Sequence, residues 1–165
     1  MNILLMMLRA APPSRLDDMK AVAMPRWIKR GYEGLTFFGH IITHSQQEAE
    51  AFNACHTLTD RSKNGTYLGS LKNHEIIHLY QARACHDSWC LFYLRYGWYW
   101  LTACRYCRRL KNAGYLLNPF ELEAYRHDHD MSYPERCKEG AREWRQYVKM
   151  TYDERRKVYE KRTGT

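Results

Sequence analysis

Two histidines four residues apart, with a glutamate directly after the first, carry the clearest chemistry in this sequence: His74-Glu75-Ile76-Ile77-His78. On a helix, residues four apart lie one above the other, so both imidazoles project from one face and can bind a single metal ion. Glu75 falls beside that ion rather than on it. From there it can take a proton from a metal-activated water and hand it to a leaving amine, as metal-assisted peptide hydrolysis requires. Catalytic zinc keeps three protein ligands and one open position, so a third ligand is needed. The extended pattern HExxHxxGxxH does not supply it, because Gln81 and Ala84 stand at its last two fixed positions. The candidates lie further along, in Pro119-Phe120-Glu121-Leu122-Glu123-Ala124-Tyr125. Two residues apart on a helix, Glu121 and Glu123 point about 200° from one another, so only one of them faces the ion. Glu121 shares its face with Tyr125 and Asp128, and the small Ala124 lets this helix come close to the histidine helix. Glu121 is therefore the expected ligand. Glu123 shares a face with His127 and is expected to be solvated or to hold a neighbour of the ligands.

These side chains need helices to carry them. The pattern predicts one helix from Leu71 to about His86, a second from Ser88 to about Lys111, and a turn region around Gly114. A third opens at Asn118-Pro119, with Asn as cap and Pro in the first position, and runs to about Asp128. Tyr133-Pro134 starts a last helix, Glu135 to Lys161, with a sparse apolar stripe of Cys137, Ala141, Trp144 and Val148. Upstream, Gly34 to Thr43 (GLTFFGHIIT) reads as a strand or a tight strand pair. Ser45 and Glu48 form a capping-box pattern ahead of a short helix, Gln46 to Ala54. Asn64-Gly65 is a turn signal, and Asp17 to Ala23 is helix-like up to Pro25. The expected fold class is α+β: mostly helical, with a small β-sheet and a long C-terminal helix. The expected organisation is a lead-in segment over 1–30, a metal-binding domain over 31–130 and a charged helix over 131–165.

Taken together, His74-Glu75-Ile76-Ile77-His78-Leu79-Tyr80-Gln81-Ala82-Arg83, an aromatic helix and Asn118-Pro119-Phe120-Glu121-Leu122-Glu123-Ala124-Tyr125 resemble the small zincin-like metallopeptidases of bacteria and phages. These are similar to gluzincins, in which both histidines of HExxH and a glutamate on a following helix hold zinc. The resemblance covers roughly Tyr32 to His129. It implies a minimal zincin-like domain with zinc on His74, His78 and Glu121, Glu75 as general base, and Gly34 to Thr43 as the edge strand above which a peptide lies. One departure stands out: gluzincins often carry Asp or Asn four residues after the ligand glutamate, where this chain has Tyr125. Glu123, Tyr125 and His127 are the alternative ligands or outer partners.

Composition limits the other possibilities. At 165 residues there is room for one domain. With 45% hydrophobic and 14% aromatic residues the chain is expected to fold rather than stay disordered. Lys and Arg outnumber Asp and Glu by 26 to 18, for a net charge of +8. The basic tail from Arg136 to Arg162 nevertheless interleaves Glu139, Glu143, Asp153, Glu154 and Glu160. It lacks the single-sign face of a nucleic-acid binder, so nucleic acid is not an expected partner. Trp89 to Ala103 is dense in aromatics and reads as a core helix, with docking on a protein partner or membrane surface as the alternative. No apolar run reaches the roughly 18 to 20 residues of a membrane span. Ile3 to Leu8 has no basic segment ahead of it and does not make a secretory signal, so the expected setting is cytoplasmic or within an assembled particle. Cys104 and Cys107 form a CxxC inside a helix rather than at the start of one, and structural thiols are expected. Gln81 lies one turn along the histidine face, solvated or bonded near the site. His40 and His44 read as polar groups at a strand end. Two functions follow: a zinc-dependent peptidase acting on a peptide or protein substrate, or a non-catalytic binding or assembly protein of a phage or secretion particle on the same scaffold.

Overall fold

The computed structural model describes residues 12–13, 20–24, 34–54 and 67–163. Within Gly34 to Thr43 the chain doubles back at Phe38-Gly39, both at positive φ (46° and 80°), the backbone that a two-residue hairpin turn demands. The segment is thus a strand pair, β2 (Leu35–Phe37) and β3 (His40–Thr43), joined antiparallel with Thr36 opposite Ile41. β1 (Ala21–Ala23) pairs parallel with β3, and the order is β1-β3-β2. Two sequence expectations change here. Ala21–Ala23 is a strand rather than the end of a helix, because Asn53 holds its backbone from the other side, accepting from the Ala21 N–H at 2.8 Å and donating to the Ala21 carbonyl at 3.1 Å. β3 is the central strand, so only β2 of the expected edge strand is an edge.

Ser45 and Glu48 form the expected capping box, with the Glu48 N–H bonded to the Ser45 hydroxyl at 3.1 Å and the Ser45 N–H to Glu48 at 3.1 Å. They open α1 (Gln46–Ala54). α2 (Tyr67–Ala84) starts before the expected Leu71 and carries the histidines. Ser88 caps α3 (Trp89–Tyr106) by accepting from the Leu91 N–H at 3.2 Å. This helix stops at Cys107 rather than Lys111, and Asn112 enters the left-handed region to start the short α4 (Ala113–Leu116). Asn118 caps α5 (Pro119–His127), with Pro119 in the first turn as expected.

The long C-terminal helix does not form. Its place is taken by α6 (Tyr133–Arg136), α7 (Trp144–Val148) and α8 (Tyr152–Thr163). The first break is Gly140, at φ +106°, where a Cβ would lie 2.6 Å from the Ala84 backbone nitrogen. That close approach lets the Ala141 N–H bond the Tyr80 carbonyl at 2.9 Å, which fastens this segment to the end of α2. The second break is a capping box that sequence reading missed: Thr151 and Glu154 exchange bonds at 2.7 and 3.3 Å and start α8 afresh. The apolar stripe is real but split, with Ala141 buried in the cluster of Ile77 and Ala124 and Trp144 in the main core.

The main core joins α2, α3, α5 and α7 through Leu79, Ala82, Cys85, Trp89, Phe92, Phe120 and Trp144. Phe120 is its hub, 4.6 Å from the Trp144 ring and 4.9 Å from Phe92. A second cluster sets Ile77 of α2 against Ala124 of α5, so the small residue does sit where the two helices meet. α3 is a core helix on one side; on the other it exposes Leu94, Trp98 and Leu101. No helix among the described residues is long and apolar enough to cross a membrane. Cys85, Cys90, Cys104, Cys107 and Cys137 are free thiols. Asn64-Gly65, Ile3 to Leu8 and most of the lead-in lie outside the described residues.

Candidate metal centre

α2 is buried on nearly all sides from Asn73 to Leu79, although this stretch holds four polar side chains in a row of seven positions. Asn73 fixes the helix first. Its amide nitrogen donates to the carbonyls of His127, Asp128 and Asp130 at 2.9, 3.0 and 3.1 Å, tying the start of the motif to the end of α5. The His127 and Asp130 carbonyls also accept the backbone N–H groups of Asp130 and Tyr133, at 2.9 and 3.0 Å. His74 and His78 then face Glu121 of α5. His74 Nε2 lies 3.1 Å from His78 Nε2 and 3.2 Å from Glu121 Oε2, and His78 Nε2 lies 3.4 Å from Glu121 Oε1.

These three separations decide what the cluster can hold. A tetrahedral zinc with ligand bonds of about 2.0 to 2.1 Å has ligand-to-ligand edges of about 3.4 Å. The two ring nitrogens, 3.1 Å apart, come near one such edge, and each has its own oxygen of the Glu121 carboxylate, at 3.2 and 3.4 Å. The same three side chains form the metal-capable group among the described residues. Their exposures of 4%, 6% and 2% leave little water to solvate them, so a cation between them would offset a large desolvation cost. Burial opposes charge on both sides, yet Glu121 raises His78 to about 9, while the two histidines hold the Glu121 carboxyl far below its ordinary range. His74 Nδ1 is buried with no hydrogen-bond partner among the described residues, whereas His78 Nδ1 meets Gln81 Oε1 at 2.8 Å.

Glu75 is placed by the sheet. The Thr36 hydroxyl on β2 bonds its carboxylate Oε2 and lies 3.2 Å from its carbonyl. Gly34, at the start of the same hairpin, presents no side chain beside Glu75 Oε1. Tyr93 of α3 steadies the hairpin, donating to the Thr36 carbonyl at 3.1 Å and accepting from the Phe38 N–H at 3.0 Å. Tyr96, one helical turn on, donates its hydroxyl to Glu121 Oε1 at 2.6 Å. Sequence reading missed Thr36, Tyr93 and Tyr96. The spacing of three between the two tyrosines hinted at one hydroxyl-bearing face, but nothing local in Leu35-Thr36-Phe37 announces contact with α2.

Of the other expected site residues, Tyr125 packs its ring on His74, centroids 4.4 Å apart, and meets the Tyr115 hydroxyl at 2.7 Å. Burial pushes its phenol up to about 12. Arg162 of α8 covers the outer side, 3.9 Å over the Tyr125 ring and 3.2 Å from Asp128. Glu123 is not solvated. It is fully buried and accepts from Gln81 Nε2 (2.7 Å), the Tyr133 hydroxyl (2.7 Å) and the Glu143 N–H (2.6 Å). Burial pushes its carboxyl up against those three donors. His127 is turned away from the triad. It stacks on Tyr133 at 3.7 Å and pairs with Glu143 at 2.7 Å. Gln81 is fully buried, not solvated.

Comparison with family models, with curated proteins and with solved structures gives no match to this chain. The geometry of the site therefore carries the functional argument.

Proposed function

We propose that this protein is a zinc-dependent peptidase, with zinc held by His74, His78 and Glu121 and with Glu75 as general base. The observation that carries this reading is the buried cluster of His74 Nε2 and His78 Nε2, 3.1 Å apart, with one oxygen of the Glu121 carboxylate 3.2 Å from the first and the other 3.4 Å from the second, next to a glutamate that is not part of it. A structural metal site closes with a fourth protein ligand and has no need of such a neighbour. When bound, zinc supplies a Lewis acid that polarises a scissile carbonyl and acidifies a water.

The chain's own residues supply the rest. Thr36 holds Glu75 by Oε2, which orients the carboxylate and leaves Oε1, beside the bare Gly34, to receive a proton from the attacking water. The same carboxyl then returns that proton to the leaving amine nitrogen. Tyr96 and the two imidazoles share the Glu121 carboxylate, which keeps it aimed along one direction in a dry site. Replacing Glu75 with Gln keeps size and hydrogen bonding but removes the basic oxygen. A peptide-library digest with the zinc-loaded protein should show cleavage, and Glu75→Gln should retain zinc while losing about two to four orders of magnitude in rate. Equal cleavage by the variant would remove Glu75 from the mechanism.

One observation favours the second reading, a binding or assembly role. Leu94, Trp98 and Leu101 form an exposed apolar stripe on α3, away from the core face, of the kind that seats a protein partner. A protein that binds zinc but cleaves nothing in the same digest would fit that role.

A further inference from the structure

We infer that Gln81 and Glu123 are positioning residues that set the tautomer of His78 and so keep its Nε2 free to take a metal ion. This rests on the metal-site reading above and adds residues that the motif does not contain. The argument is one of hydrogen-bond direction. The Gln81 amide nitrogen has two protons and two acceptors, the Phe120 carbonyl at 2.9 Å and Glu123 Oε2 at 2.7 Å. Turning the amide over would set its oxygen against a carbonyl and a carboxylate, so the orientation is fixed by its surroundings. Gln81 Oε1 must then face His78 Nδ1, 2.8 Å away, and as an acceptor it requires a proton there. In the neutral ring the proton is therefore on Nδ1, and the lone pair is on Nε2, the atom directed at His74 and Glu121.

Glu123 is what stops the relay from turning. It is fully buried, and its carboxylate is pinned by the Tyr133 hydroxyl and the Glu143 N–H, groups from two other segments of the chain. One helix thus supplies a metal ligand, Glu121, and from another face the anchor that orients a second ligand through Gln81. Among the described residues His74 has no equivalent, since its buried Nδ1 has no partner there. The two histidines are consequently unequal, and His78 is the pre-aligned one.

The experiment measures zinc affinity by competition with a chelator of known strength, alongside the imidazole signals of the zinc-loaded protein by nitrogen-edited NMR. Wild type should show a slowly exchanging proton on His78 Nδ1. Gln81→Met, similar in size but with no amide, should lose that signal and weaken zinc about 10- to 100-fold. Glu123→Gln should weaken zinc in the same direction, because its amide would face the Gln81 amide nitrogen donor against donor. If Gln81→Met fails to fold, Glu123→Gln still decides the matter. Zinc affinity unchanged in Glu123→Gln, or a wild-type His78 that binds zinc through Nδ1, overturns the relay and leaves the metal site standing. A wild-type chain that takes up no zinc removes the metal-site reading itself.

Discussion

The contact between Thr36 and Glu75 joins the sheet to the site, and Thr36→Val isolates it. Valine keeps the branched shape and the strand preference of threonine, so β2 should persist and the packing should change little. What disappears is the hydroxyl that bonds Glu75 Oε2, and both residues are buried, at 6% and 5% exposure. A hydrogen bond to a charged group contributes about 1.5 to 3 kcal/mol, and a buried carboxylate left without it bears the full desolvation cost. The expected loss is about 2 kcal/mol. For a chain of this size that lowers Tm by about 4 to 8 °C. Thr36→Ser keeps the hydroxyl and removes one methyl, so it should cost about 1 kcal/mol or less. Thermal and urea unfolding of the three proteins, each with and without zinc, measure this directly. Zinc affinity should hold in both variants, because Thr36 touches none of the three ligands, while peptide cleavage should fall in the valine variant as Glu75 loses its orientation. A valine variant as stable as wild type would show that Thr36 does not hold Glu75.

Glu121→Gln removes the only charged ligand of the triad and should weaken zinc more than 100-fold, beyond the 10- to 100-fold expected for an outer partner such as Glu123; a competition titration that ranks them the other way overturns the ligand assignment. Gly140→Ala should destabilise the fold by at least about 2 kcal/mol in urea unfolding, because it combines a φ of +106° with a Cβ 2.6 Å from the Ala84 nitrogen. An alanine variant within a few tenths of wild type would mean that the close seat of residues 137–143 on α2 is not needed.

What could be read from the sequence was what is local. Spacing four along one helix put His74 and His78 together, and the cap at Asn118-Pro119 located the start of α5 and so the face of Glu121. The capping box at Ser45 and Glu48 also set α1 at its first residue. What failed was what depends on distant segments. Ala21–Ala23 is a strand because Asn53 and β3 reach it, and an Ala-Val-Ala tripeptide contains no trace of either. The charged stretch after Tyr133 has helical composition throughout, but Gly140 breaks it where it meets Ala84, and the capping box of Thr151 and Glu154, overlooked in the sequence, makes the later break. Glu123 looked polar and therefore wet. Its burial follows from Tyr133, Gln81 and the Glu143 amide converging on it, and no periodicity encodes that meeting. Thr36 escaped notice for the same reason, since a threonine in a short strand is ordinary until a helix places a glutamate against it.

The most direct measurement is the zinc content of the purified protein, by elemental analysis after expression in zinc-replete medium and dialysis. The account predicts about one zinc per chain in wild type and in Glu75→Gln, and none retained in His74→Ala or His78→Ala. Wild-type protein that carries no zinc and takes none up on titration would contradict it, and would reduce the triad to a buried ion pair.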